Sequence, residues 1–203
     1  MTREAPLGAV LAGGRSARFG APKALAELAG RTLVERALDS VTAAGLEPVV
    51  VAREHSPLPA RLGARIVRDP PGEPHPLRAI AAALGEERAA VVVACDMPFV
   101  PAPLLAWLAE LREPLAVAQL AGRVQPLLGR YEPSLVAELA AAADRGEPAG
   151  EAVLALGARR IGEAELRRFG DPARIGFNVN RAEDLARAEH LLARPPNVPQ
   201  PPA

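Results

Sequence analysis

Apolar positions along this chain keep two alternating rhythms. Leu7–Ala12, Pro48–Ala52 and Ala89–Cys95 are short continuous runs, and Arg65–Val67 is a briefer one closing at Asp69. Such runs mark strands buried on both faces. Between them apolar residues recur at helical spacing: Val34, Ala37, Leu38 and Val41; Leu77, Ile80, Ala81 and Leu84; Leu104, Leu105, Leu108 and Leu111; Val136, Leu139, Ala140 and Ala143. Thr32 and Glu35 form a capping box before the first helix, and Gly45 and Gly85 stop the first and second. Leu115–Leu120 and Val124–Tyr131 read as extended segments around Gly122. A short helix is expected near Glu151–Leu156, a last short strand at Ile175–Asn178, and a closing helix through Leu185 and Leu192.

Strands alternating with amphipathic helices predict a single α/β domain, Rossmann-like, with a mostly parallel sheet and helices on both faces. No linker interrupts residues 1–193. Five prolines in Pro195–Ala203 cannot continue a helix, so 194–203 is expected to be a proline-rich disordered tail.

Composition then narrows the function. Lysine plus arginine and aspartate plus glutamate each total 24, so there is no basic field for nucleic acid and no polybasic membrane patch. No apolar run is long enough for a signal-peptide core or a membrane span, and one cysteine, Cys95, permits neither an internal disulfide nor a cysteine-cluster metal site. A cytoplasmic protein is expected, and any phosphate ligand must be caught locally. The rare residues point to where. The only lysine is Lys23, and two of the three asparagines are Asn178 and Asn180.

Lys23 ends the loop Gly13-Gly14-Arg15-Ser16-Ala17-Arg18-Phe19-Gly20-Ala21-Pro22-Lys23, which follows the first strand. Ligands of open α/β sheets bind beyond the carboxyl ends of strands. Glycines let backbone N–H groups approach an anion, while Arg15, Arg18 and Lys23 add positive charge. The spacing is neither Gly-x-Gly-x-x-Gly nor the P-loop pattern. Asp96, where the most apolar strand ends, is placed to hold Mg²⁺, an ion bound by one or two carboxylates plus phosphate oxygens. Cys95 reads as core, Trp107 as packing, and His75 as a loop residue.

Leu11-Ala12-Gly13-Gly14-Arg15-Ser16, continued by Arg18-Phe19-Gly20 and Lys23-Ala24-Leu25, resembles the opening motif of the molybdenum cofactor guanylyltransferases. Cys95-Asp96-Met97-Pro98-Phe99, Gln125-Pro126-Leu127 with Tyr131, and Asn178-Val179-Asn180 running into Glu183-Asp184-Leu185 resemble later family segments. The resemblance covers about residues 6–192 and implies a nucleotidyltransferase domain over 1–193. It implies GMP transfer from GTP to molybdopterin with release of pyrophosphate, Mg²⁺ as cofactor, and a molybdopterin-delivering protein as a possible partner. It also implies that Leu11, Ala12, Gly13, Gly14, Lys23, Asp69, Asp96, Asn178 and Asn180 contact the nucleotide, with Arg15, Arg18, Lys23 and Asp96 in catalysis. Gly13, where cytidylyltransferases of the group carry alanine, favours guanine. His75-Pro76-Leu77-Arg78-Ala79 departs from the family's Gly-Pro-Leu-x-Gly, and Arg53 stands where an asparagine is common. A CTP- or sugar-phosphate-using transferase and a non-catalytic nucleotide-binding regulator are the alternatives.

Deleting residues 194–203 should leave melting temperature and turnover essentially unchanged. Thermal unfolding and a pyrophosphate-release assay check this, and a loss in either would show that the tail docks.

Overall fold

The structure, a computed structural model, describes residues 4–13, 19, 22–85 and 87–193. Gly14, Arg15, Ser16, Arg18 and Gly20 of the glycine-rich loop, and the 194–203 tail, lie outside the described residues. Nine strands and eight α-helices alternate through the described part. The first half runs β1 (Leu7–Leu11), β2 (Glu27–Leu28), β3 (Arg31–Thr32), α1 (Leu33–Ala43), β4 (Glu47–Ala52), β5 (Arg65–Arg68), α2 (Pro76–Leu84) and β6 (Ala90–Ala94). The second runs α3 (Ala102–Glu110), β7 (Leu115–Leu120), β8 (Arg123–Tyr131), α4 (Val136–Asp144), α5 (Ala149–Ala155), β9 (Arg159–Ile161), α6 (Glu163–Leu166), α7 (Pro172–Ile175) and α8 (Ala182–Ala193).

Seven strands make one sheet in the order β5-β4-β1-β6-β8-β7-β9. β5, β4, β1 and β6 are parallel, as crossovers through α1 and α2 require. β8 is antiparallel to both neighbours, and β9 returns to the parallel direction beside β7. The reversal is local in origin. Ala121 and Gly122 both have positive φ, 47° and 73°, the turn geometry that joins adjacent strands in a two-residue hairpin. Ala29 and Gly30 repeat it, at 49° and 74°, between β2 and β3.

Successive strand residues point to opposite helix layers. Val10, Val50, Val91 and Val93 pack with Val34, Leu38 and Val41 of α1 and Leu104, Leu105 and Leu108 of α3. Leu7, Ala9, Leu11, Val49 and Val51 pack instead with Leu77, Ile80 and Leu84 of α2, Leu139 of α4 and Val153 of α5. All five residues of β1 and of β6 are buried, so these strands are apolar throughout instead of alternating. Helix α1 rides directly on β1: a Cβ on Gly8 would fall 2.1 Å from Val41 Cγ1. Thr32 caps α1 as expected, with Glu35 Oε2 accepting from Thr32 N at 2.9 Å.

A third, smaller cluster of Leu28, Leu33, Val179 and Ala188 fastens α8 to the β2–β3 hairpin. The strand expected at Ile175–Asn178 is absent. Pro172–Ile175 is a helical turn, because Asp171 accepts from Ala173 N at 3.0 Å and Pro172 begins the turn without needing a donor. Gly176–Asn178 then runs as irregular chain. Among the described residues no helix is long and apolar enough to cross a membrane.

The positive φ of Ala121 gives a direct stability test. A left-handed conformation costs an L-residue roughly 1–2 kcal/mol, and asparagine tolerates it better. Ala121→Asn should raise the melting temperature by about 2 °C, measured by thermal unfolding. A fall would contradict the assigned turn.

Candidate active site

The carboxyl ends of β1, β4, β5 and β6 open into one cleft of about 1280 Å³. From β1 the chain crosses to β4 on one side and on to β5, then returns to place β6 on the other side of β1, so its direction of travel switches at β1. Such switch points are where open α/β sheets bind ligands. Backbone bonds carry the ladder one residue past each strand: Ala12 N to Val51 O at 2.9 Å, Asp69 N to Ala52 O at 3.0 Å, and Cys95 N to Leu11 O at 3.1 Å. Gly13, Arg53, Asp69 and Asp96 therefore emerge along the cleft, with Leu11, Ala12 and Lys23 also in its wall.

Lys23 stands on a short 3-10 turn, Lys23–Leu25, and its Nζ reaches Asp96 Oδ2 at 2.9 Å and Asn180 Oδ1 at 3.1 Å. The lysine and aspartate side chains are 18% and 21% exposed, so the pair is sheltered without being cut off from a ligand. Asp96 is held from behind, its carbonyl accepting from Val179 N at 2.9 Å. Asp184 in turn holds Asn180, its Oδ2 accepting from Asn180 N and Arg181 N, both at 2.9 Å. Burial works to raise the Asp184 carboxyl, but those two hydrogen bonds and the nearby Arg187 and Arg181 charges outweigh it and keep the carboxyl below its ordinary range.

Asn178 takes another direction, donating through Nδ2 to Gly176 O at 2.9 Å and bracing its own loop. Of the two asparagines, only Asn180 meets Lys23. Asp69 is half-buried, and desolvation raises its carboxyl against the opposing charges of Arg53 and Arg78. Its Oδ1 is buried and accepts no hydrogen bond among the described residues, a rare condition in native proteins. Gln125 lies on β8, its Nε2 at 3.5 Å from Arg123 O, whereas Leu127 reaches the cleft wall.

Cys95, Tyr131 and His75, three candidates for acid–base or nucleophilic chemistry, are otherwise engaged. Cys95 is buried, and desolvation with the adjacent Asp96 charge pushes its thiol up to about 12. Tyr131 is buried, donates to Pro126 O at 2.6 Å, and is raised by desolvation. His75 caps α2: Nδ1 accepts from Leu77 N at 3.3 Å while Nε2 lies 3.0 Å from Glu147 O. With Nδ1 accepting from Leu77 N, Nε2 is the nitrogen placed to donate to the Glu147 carbonyl. Trp107 packs on Phe169 at 5.3 Å, as expected of a packing residue. Arg53, noted in the sequence only for standing where relatives often carry asparagine, lines the cleft at the end of β4.

Among the described residues no three His, Cys, Asp or Glu side chains cluster to form a closed metal cage. A single strand-end carboxylate beside a cation and an amide suits a ligand that brings its own anionic oxygens. That arrangement can stabilise charge on a bound phosphate chain.

Comparison with known proteins agrees with this geometry. Residues 8–164 match the MobA-like NTP transferase domain. The chain is 38% identical over 199 residues to a molybdenum cofactor guanylyltransferase of Cereibacter sphaeroides, covering 92% of this chain and 97% of the relative. It is 33% identical over 187 residues to a probable molybdenum cofactor guanylyltransferase of Pelotomaculum thermopropionicum, covering 89% and 90%. The crystal structure of molybdopterin-guanine dinucleotide biosynthesis protein A from Archaeoglobus fulgidus superposes with a TM-score of 0.78 at 28% identity, over 91% of this chain and 97% of that one. The chain therefore belongs to the MobA-like NTP transferase family and is a nucleotidyltransferase.

Proposed function

We propose that this nucleotidyltransferase acts in molybdenum-cofactor biosynthesis, transferring GMP from GTP to molybdopterin and releasing pyrophosphate. The observation that carries the reading is the meeting of Lys23, Asp96 and Asn180 at the strand ends beside Gly13. The names of the relatives support the choice of substrates.

In this reaction the terminal phosphate oxygen of molybdopterin forms a bond to the α-phosphorus of GTP. The bond from that phosphorus to the β-phosphate bridge oxygen breaks on the opposite side, and pyrophosphate leaves. The attacking oxygen is already an anion near neutral pH, so no proton has to be removed. That accords with the buried thiol of Cys95, the buried phenol of Tyr131 and the capping role of His75. Catalysis then consists of alignment and charge stabilisation.

Asp96 is the residue that would hold Mg²⁺, an ion that commonly takes one or two carboxylates and completes its shell with phosphate oxygens and water. When bound, the ion supplies positive charge against the phosphate oxygens. Lys23, released from Asp96 as that carboxylate takes up its other role, turns its ammonium to the triphosphate. Asn180 keeps the lysine stem aimed along the cleft, and Asp69 contacts the nucleoside. Arg15 and Arg18 stabilise the triphosphate and the leaving pyrophosphate. A molybdopterin-delivering protein would supply the second substrate.

Asp96→Asn should lower turnover at least about a hundredfold, the scale of losing one preorganised electrostatic contact. Its melting temperature should change little, because a part-exposed ion pair contributes at most about 1 kcal/mol and the Asp96 backbone bond to Val179 survives. Lys23→Ala should act mainly by weakening GTP binding, and GTP should support faster turnover than CTP in the unaltered protein. Pyrophosphate release with molybdopterin and Mg²⁺, alongside thermal unfolding, checks all three. Near-normal turnover of Asp96→Asn with a clearly lowered melting temperature would make Asp96 a structural cap.

A further inference from the structure

Beyond β5 the wall of the cleft is made by residues 69–75, and three of those seven, Pro70, Pro71 and Pro74, have no N–H to donate. A segment so poor in donors builds no ladder of its own, and its carbonyls are held from outside. Arg78 does part of that holding. It stands on α2, whose Leu77, Ile80, Ala81 and Leu84 are buried against the sheet. Its Nη1 donates to Glu73 O, and its Nη2 donates to Asp144 Oδ1 at 2.6 Å. Gly72 presses on the same guanidinium. With φ at 132° and a Cβ position only 3.3 Å from Arg78 Nη1, that place suits glycine alone. Three residues beyond Asp144, the Glu147 carbonyl lies 3.0 Å from His75 Nε2 and makes a second fastening. The wall is thus clamped between α2 and the carboxyl end of α4.

Neither Arg78 nor Asp144 is among the described residues that line the cleft, so a ligand there meets the wall and not the clamp. Position 78 is also the one that the family's Gly-Pro-Leu-x-Gly leaves open. We infer that Arg78 is a positioning residue: paired with Asp144, it holds residues 72–75 where they border a bound nucleotide. This rests on the reading of the cleft as the nucleotide site. The planar fork reaches two acceptors in fixed directions, which a lysine ammonium does less well. A released wall spends part of its time out of place, and apparent affinity falls by the fraction lost. The charges at Asp96, on the β6 side of the cleft, are untouched by that loss.

The test compares the unaltered protein with Arg78→Ala, Arg78→Lys, Asp144→Ala and the Arg78→Ala/Asp144→Ala double variant. Calorimetry gives Kd for GTP and for CTP with Mg²⁺, pyrophosphate release gives kcat at saturating nucleotide, and ¹⁵N relaxation without ligand gives the backbone rigidity of Gly72 and Glu73. Arg78→Ala should raise the nucleotide Kd about fivefold to tenfold, keep kcat within about twofold, and loosen Gly72 and Glu73. Arg78→Lys should fall between it and the unaltered protein. Asp144 is 71% exposed, so Asp144→Ala should fold normally, yet raise Kd about twofold to threefold from outside the cleft. The double variant should bind no worse than Arg78→Ala, because the two side chains act as one unit. Gly72 and Glu73 as rigid in Arg78→Ala as in the unaltered protein would overturn the inference, whatever the nucleotide. So would an unchanged Kd in Arg78→Ala, a lowered kcat in place of a raised Kd, or fully additive losses in the double variant. Tighter binding of CTP than of GTP by the unaltered protein would defeat the guanylyl reading alone, and the same comparisons made with CTP would still decide the role of Arg78.

Discussion

Lys23 and Asp96 lie 73 residues apart in sequence and 2.9 Å apart in space. Everything at the active end of the molecule is arranged around that pair. It bridges the glycine-rich loop after β1 to the carboxyl end of β6, across the point where the sheet changes its direction of growth. Two opposite charges, each about a fifth exposed, contribute little to stability in such a place. Their value is chemical. Without ligand they satisfy each other, and in the proposed reaction a metal–triphosphate would give each a new partner.

The sheet and the closing segment make the pair possible. Full burial of β1 and β6 fixes the level at which Gly13 and Asp96 emerge, because neither strand can slip by one residue without turning its side chains into the wrong helix layer. The 179–184 segment then closes over the pair. Val179 and Ala188 anchor it against Leu28 and Leu33, the Asp96 carbonyl takes the Val179 N–H, and Asp184 fixes the turn that aims Asn180 at Lys23. Asp69 follows the opposite logic, holding a partly desolvated carboxylate with an unpartnered oxygen. A fold optimised for stability alone would hydrogen-bond or replace it, and its retention agrees with a binding role.

Hydrophobic rhythm made the strands, the main helices and the capping box of α1 legible, since each depends on short-range pattern. It did not reveal β2, β3 and β9, which are two or three residues long and held by packing elsewhere. The reversal of β8 rested on a left-handed Ala121, a conformation that alanine does not advertise. Ile175–Asn178 looked extended because Ile, Phe and Val favour strands, yet the Asp171-Pro172 start signal won locally. In the site, the rarity of lysine and asparagine singled out Lys23 and Asn180, which meet each other, and Lys23 also meets Asp96. Rarity could not separate Asn180 from Asn178, whose amide turns to its own loop. Arg53 was legible only as a departure from the family pattern, and strand order then set it beside Gly13 in the cleft. Arg15 and Arg18 lie outside the described residues.

The sole lysine of the chain provides a direct view of the central claim. Protein labelled with ¹⁵N-lysine has a single side-chain ammonium signal, that of Lys23, to be followed by NMR as Mg²⁺ and a non-hydrolysable GTP analogue are added. If Lys23 exchanges Asp96 for the triphosphate, the signal should move to a new position only when metal and nucleotide are present together. In Asp96→Asn it should start from a different position before any ligand is added. A signal unmoved at saturating metal and nucleotide would mean that Lys23 stays on Asp96 throughout, and the exchange of partners proposed for this site would be wrong.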